Sequence, residues 1–304
     1  MSEDINRRNF LGASLLGAAA GISLENRTLL AKLSDQSAPA DDTGPIRGLQ
    51  KGKLGKLEVS RLICGGNLFS GFGHSRDLIY VSELMKQYFT AEKIMDTLQI
   101  CEENGINTAI LRCDNHIIDV LTRYRKERGG RIQWIAQSYP QENDLTTNIQ
   151  MAIDNGAVGA YAQGGIGDNF VKEGKTGLLG KVVAFIQKNG LAAGVGCHSL
   201  DVIKASETEK LEPDFYFKTF NSVDYNSEAP EQIAACMKNV DKPWIAFKVL
   251  GAGAVSPQEG FKLAYELGAD FLNIGMFDFQ VKEDIIIAKS LLENGIQRQR
   301  RWSQ

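Results

Sequence analysis

The stretch "WIAFKVLGAGAVSPQEGFKLAYELGADFLNIGM", residues 244–276, carries the repeating unit of the fold. It opens on an apolar run (244–250), crosses a glycine-rich turn, enters a segment of helical period begun by Pro257 (257–267), and returns to a second apolar run (270–276). Two short runs separated by a helix cannot close as a tight hairpin, so the connection reads as a βα unit in a parallel sheet. The same alternation recurs upstream. Further apolar runs lie at 61–66, 106–112, 132–138, 157–163, 191–197 and 214–220. Between the runs, helical patterns are predicted at 92–104, 116–128, 144–154, 177–189, 199–209, 230–239 and 281–293, with Thr90 and Ser199 as cap residues. Eight strands and eight helices predict a single closed (β/α)8 TIM barrel over 48–304; an open doubly wound sheet is the alternative. Before the first strand, "GLQKGKLGKLEVS" (48–60) has the alternation and glycines of a β-hairpin. Residues 67–91 form a first βα connection long enough to expect a functional loop.

With 304 residues, 43% of them hydrophobic, the chain can bury one catalytic-sized core. Its formal charge is −3 and its basic residues are dispersed, so the basic stripe that a nucleic-acid backbone requires is absent. The first forty residues read differently. "NRRNFLGASLLGAAAGISL" sets Arg7 and Arg8 before a Gly/Ala-rich apolar stretch, with Phe10 and Leu11 at twin-arginine spacing, which predicts a Tat export signal over 1–40. Ala38-Pro39-Ala40 is a small-residue cleavage pattern, and 41–47 a linker. Once that signal is removed, no membrane span is expected, and the function would lie in the periplasm or beyond. The five cysteines (Cys64, Cys101, Cys113, Cys197 and Cys236) have no CxxC spacing and do not read as a disulfide framework.

In a parallel barrel the C-terminal strand ends form the functional face. All three histidines fall there: His74 in "GFGHSRD", His116 closing "RCDNH" and His198 in "GVGCHS". An imidazole at such a place serves as acid, base or metal ligand, or else hydrogen-bonds the wall. The same rim carries Arg76, Asp77, Asp114, Gln137, Gln163, Lys218, Asn221, Lys248 and Asp278. The expected catalytic set is His74, Asp114, His116, His198, Lys218 and Lys248. His116 and His198 are expected to face one cavity, and the two lysines to act as amines of lowered pKa or as anion partners. By ligand type, Asp114, His116 and His198, with Cys113 or Cys197, could hold a divalent metal. "AQGGIGDN" (162–169) lacks the ordered dinucleotide fingerprint and reads as a plain βα loop.

Taken in order, "KGKLGKLEVSRLICGGN", "EENGIN", "GVGCHSLDVI", "PDFYFKTFNSVDYN", "KPWIAFKVLGAG" and "IGMFDFQVKEDI" resemble the aldo/keto reductase family over about residues 48–293. The resemblance implies NADP or NAD bound in extended form at the seventh and eighth strand ends. Phe247 then takes the place of the ring that stacks on nicotinamide, Gly251 and Gly253 that of the phosphate-side loop, and Gln280, Glu283 and Asp284 that of the adenine-side helix start; Asn221, at the end of the sixth strand, joins them. The catalytic tetrad is not kept. Aligned on "GIN", the family's aspartate falls on Ile110, its proton-donating tyrosine on Asn115, its lysine on Ser138 and its histidine on Gln163. Hydride transfer to a carbonyl needs a proton donor beside the developing alkoxide, so the donor would have to be recruited afresh, for instance from His116 or His198. Three functions stay open: an oxidoreductase acting on a small sugar-like carbonyl or alcohol, a non-redox lyase, epimerase or isomerase on the same barrel, and a non-catalytic binding barrel.

Overall fold

The structure is a computed structural model that describes residues 44–73 and 78–303. The twin-arginine segment, its cleavage pattern, His74, Arg76 and Asp77 lie outside the described residues. A two-stranded antiparallel hairpin, β1 (Lys51–Leu54) and β2 (Leu57–Ser60), precedes the barrel. Eight parallel strands follow: β3 (Leu62–Gly65), β4 (Thr108–Arg112), β5 (Gln133–Ser138), β6 (Gly159–Ala162), β7 (Ala192–Cys197), β8 (Phe215–Thr219), β9 (Trp244–Phe247) and β10 (Phe271–Ile274). They close in sequence order, with β10 pairing back onto β3. The chain is therefore a (β/α)8 barrel, and the open-sheet alternative does not apply.

Period-two alternation divides the core. Ile63, Ile110, Ile135, Tyr161, Phe215, Phe217, Ile245, Phe247 and Phe271 point into the barrel and pack as one cluster, with Leu54 and Val59 of the hairpin joined to it. The alternate residues, among them Leu62, Leu111, Trp134, Val195, Tyr216 and Leu272, face the helices. The inner cluster fills the lumen with large side chains, and only its uppermost layer is left to form a site.

Outer helices lie close to the expected ranges: α2 (Ala91–Glu103), α3 (Asn115–Arg128), α4 (Thr147–Asp154), α6 (Thr176–Lys188), α7 (Leu200–Thr208), α8 (Pro230–Met237), α9 (Pro257–Glu266) and α10 (Val281–Glu293). The Thr90 hydroxyl accepts the Lys93 amide at 3.3 Å and Ser199 the Asp201 amide at 3.1 Å, so both expected caps act as caps. Two helices were not expected. α1 (Val81–Tyr88) sits inside the long first connection and buries no residue. α5 (Gly164–Lys172) occupies the segment read as a plain loop. Its three early glycines disfavour a helix by propensity, but packing requires Gly167, where a Cβ would lie 2.2 Å from the Gly196 carbonyl oxygen. Among the described residues, no helix is long and apolar enough to cross a membrane.

Candidate active site

Two adjoining cavities open on the C-terminal face. One, of about 250 Å³, is largely polar and lies over the strand ends; Arg112, Gln137, Tyr139, Gln163 and His198 line it above a floor of Ile110, Phe217 and Phe247. The other, of about 400 Å³, is apolar and runs outward between the first connection and the β9 and β10 loops, past Leu68, Met85, Tyr225, Gly253, Phe277 and Gln280. They share Asn67, Phe72, Phe247, Lys248 and Asn273, so the two form one bent cleft.

Strand alternation builds the polar arm. Ile135, Gln137 and Tyr139 share one parity along β5 and its continuation, and so do Ile110 and Arg112 on β4. At the strand ends the inward position changes from aliphatic to polar, and the polar side chains join. The Tyr139 oxygen accepts two N–H donors, Arg112 Nη1 at 2.5 Å and Gln137 Nε2. Gln137 is oriented in turn by Tyr161, whose hydroxyl donates to Gln137 Oε1 at 2.9 Å. The Arg112 guanidinium lies between the rings of Phe72 and Tyr139, 4.3 and 4.5 Å from their centroids, and its Nε donates to Asp114 at 3.1 Å. Burial raises the pKa of the Tyr139 phenol, and Arg112 and Gln137 pull in the opposite direction. With both lone pairs engaged as acceptors, the phenolic O–H is free to point into the cavity.

The opposite wall carries a second acid/base pair. His198 Nδ1 lies 2.7 Å from Asp168 Oδ2, and the same carboxylate accepts the backbone amides of His198 and Ser199 at 3.0 Å each. Burial disfavours the charge on Asp168, but His198 and these amides outweigh it and hold the carboxyl below its ordinary range. An ionised partner places the proton on Nδ1 and leaves Nε2 for a ligand. Asp168 comes from α5, and the close approach depends on a glycine: a Cβ on Gly164 would stand 3.0 Å from the imidazole.

Among the sequence-predicted catalytic residues that the structure describes, the cleft gathers only His198 and Lys248. His116 is exposed on the first turn of α3, because Ile117, Val120, Leu121 and Tyr124 take the inward face of that helix; the expected cavity shared with His198 is not formed. Asp114 is the N-cap of α3, accepting the Ile117 amide at 3.0 Å, which engages its carboxylate in folding. Lys218 has the outward parity of β8. It is fully buried and bound to Glu228 at 2.7 Å, the His198 carbonyl at 2.6 Å and Thr219 Oγ1 at 2.9 Å, so it is a tether rather than a reactive amine. Lys248 also has outward parity, but a left-handed backbone (φ 59°) turns it back so that it lines both arms, 4.5 Å above the Tyr225 ring. Burial lowers its pKa.

The residues expected to bind a cofactor divide similarly. Phe247, Gly253 and Gln280 line the cleft. Gly251 is buried beneath its loop; Asn221 staples its own turn through Tyr225 and Val223; Glu283 is exposed on α10; and Asp284 turns inward at 3% exposure. None of these four lines the cleft. Among the described residues there is no group of three or more His, Cys, Asp or Glu placed to hold a metal ion. Cys113 and Cys197 are buried; burial pushes the Cys113 thiol up to about 12, and that thiol donates to the Asn148 carbonyl at 3.2 Å.

No protein-family model matches the chain, and no curated protein matches its sequence. Solved structures do match in fold. A protein from Pseudomonas aeruginosa described as a "putative aldo-keto reductase" aligns over 84% of this chain and 99% of its own, at 15% identity and a TM-score of 0.60. A truncated 3-deoxy-D-arabino-heptulosonate 7-phosphate synthase from Thermotoga maritima aligns over 84% and 96%, at 11% identity and 0.53. N-acetylneuraminic acid synthetase from Leptospira borgpetersenii serovar Hardjo-bovis aligns over 81% and 90%, at 11% identity and 0.52. At such identities the likeness is one of barrel fold, shared by enzymes of different chemistry.

Proposed function

We propose that the chain is an exported NAD(P)-linked oxidoreductase of aldo/keto reductase type, interconverting a small sugar-like carbonyl compound and its alcohol. The observation that carries this reading is the Tyr139 hydroxyl, a proton donor built into the polar arm at the end of a cleft whose other arm is apolar. The residues present fit a nicotinamide dinucleotide. Phe247, stacked on Phe217 at 4.2 Å, stands at the junction. The buried Asn273 Oδ1 beside it has no hydrogen-bond partner and suits the amide N–H of a carboxamide. Gly253 and Gln280 flank the outer arm, and a Cβ on Gly253 would meet nothing within 4 Å. When bound, such a group supplies or accepts the hydride.

The chain's own part is proton management. Tyr139 gives its proton to the substrate oxygen as negative charge develops there, and Arg112 and Gln137 stabilise the resulting phenolate through the two N–H donors already in place. The lost tetrad is thus rebuilt one strand further on, with arginine in the role that lysine plays in the family resembled. His198, fixed by Asp168, is set to hold a second substrate hydroxyl.

The test is cofactor binding. Titration of the unmutated protein with NADH and NADPH should quench tryptophan fluorescence and raise the melting temperature. Phe247→Ala should weaken that binding by about 1 to 2 kcal/mol, the scale of an aromatic contact beyond burial. No melting shift with either nucleotide at saturating concentration would overturn the proposal. The Asp168–His198 pair favours a second reading, cofactor-free proton transfer in an isomerase, epimerase or lyase, which that negative result would support. Two organised acid/base groups facing one cavity argue against a purely binding role.

A further inference from the structure

The charges of the described residues around the polar arm are not balanced. Among the described residues, no aspartate or glutamate lines either arm of the cleft, whereas Arg112 and Lys248 do. Arg112 has Asp114 as its counterion. Lys248 has none among the described residues: no hydrogen bond or ion pair with any of them holds its ammonium, which stands over the Tyr225 ring at 4.5 Å. Three further carboxylates, Asp168, Asp224 and Glu228, line a neighbouring depression that meets the polar arm at His198, and two of them are committed to His198 and Lys218. The amino end of α5 also meets the polar arm at Gln163 and Gly164, adding positive potential. Burial depresses the pKa of Lys248. The left-handed backbone that turns it into the cleft is a conformation lysine rarely adopts.

An unpaired, half-buried ammonium held in a strained conformation at the mouth of a polar cavity needs an anion from the ligand. We propose that the substrate is a carboxylate-bearing polyhydroxy compound, a sugar acid in chemical class, whose carboxylate pairs with Lys248 while its reacting carbon faces Tyr139. This rests on the reading above that the polar arm takes the substrate, and it fixes which substrates that arm prefers.

The experiment measures binding rather than turnover, so it stands apart from the cofactor test. Isothermal titration of the full chain compares D-glucuronate with D-glucose, and D-gluconate with D-glucitol, at low and high salt. Each acid should bind at least roughly tenfold tighter than its neutral counterpart, and the gap should narrow with salt. Lys248→Gln should reduce the gap to about twofold, and Lys248→Arg should restore it. Equal binding of acid and neutral partners by the unmutated protein would overturn the proposal, as would loss of the preference in both variants, which would mark a role in folding. A Lys248→Gln variant that weakens NADPH binding but keeps the preference for acids would overturn it too, by assigning the ammonium to a cofactor phosphate.

Discussion

Tyr139→Phe separates the proton donor from everything else in the cleft. The substitution removes one oxygen and keeps the ring that packs against Arg112. It leaves Arg112 Nη1 and Gln137 Nε2 without an acceptor, but both side chains are only half-buried, so water can replace the phenol. The structural cost should be about 1 kcal/mol, a fall in melting temperature of about 2 to 4 °C for a domain of this size. The catalytic cost should be far larger. A positioned general acid contributes about 10²- to 10⁴-fold, equivalent to about 3 to 5 kcal/mol of barrier. Steady-state NAD(P)H oxidation, with D-glucuronate and glyceraldehyde as carbonyl probes, should therefore show kcat reduced by that factor and KM changed little. The pH profile carries a second signature. Reduction needs the protonated phenol, whose pKa is raised by burial against the opposing pull of Arg112, so the rate should hold through neutral pH and fall on the alkaline side. Arg112→Met removes that pull and should move the alkaline limb higher still. A Tyr139→Phe enzyme with kcat within threefold of the unmutated one, or an alkaline limb unmoved by Arg112→Met, would refute the assignment.

Other positions test the scaffold and the address. Asp284 is buried, and burial, reinforced by Glu283, raises its pKa from 3.8 to about 7, so the folded state holds its proton more tightly than the unfolded chain. Stability from this group is full below the unfolded value and is lost as pH rises toward 7; Asp284→Asn should stabilise by up to about 4 kcal/mol at pH near 8 and by little near pH 4, read by thermal unfolding at both. Asp270, fully buried, binds Arg300 at 2.5 Å, the Trp244 amide at 2.9 Å and the Ser303 amide at 2.9 Å. Asp270→Ala strands the Arg300 charge and should cost about 3 to 5 kcal/mol in urea unfolding. Replacing Arg7 and Arg8 by lysine should hold the protein in the cytoplasm in a fractionation assay; normal export of that variant would remove the twin-arginine reading.

The barrel was legible because its signal is repeated: eight apolar runs and eight amphipathic segments reinforce one another, and each inward position is fixed by its strand neighbours. The site was less legible, and the misplacements share a cause. Asp114, Lys218 and Asn221 are polar residues near strand ends, but a cap bond, a buried ion pair and a turn staple already engage them. Parity along the strands would have removed Lys218, since Phe217 points inward, and would have promoted Arg112, Gln137 and Tyr139, which continue the inward rows of Ile110 and Ile135. Parity alone would also have discarded Lys248. That residue reaches the cleft only because the strand ends at Phe247 and the next φ turns positive, a backbone choice that local residue type disfavours for lysine. Asp168 was hidden for a related reason: its helix begins "GGIG", a run whose propensity argues for a loop, while packing against the Gly196 carbonyl of β7 leaves no room for a Cβ at Gly167. In both places local preference gives way to the geometry of the cleft, and a site paid for in backbone strain and lost helix propensity is where acid/base and anion-binding groups are expected to be held.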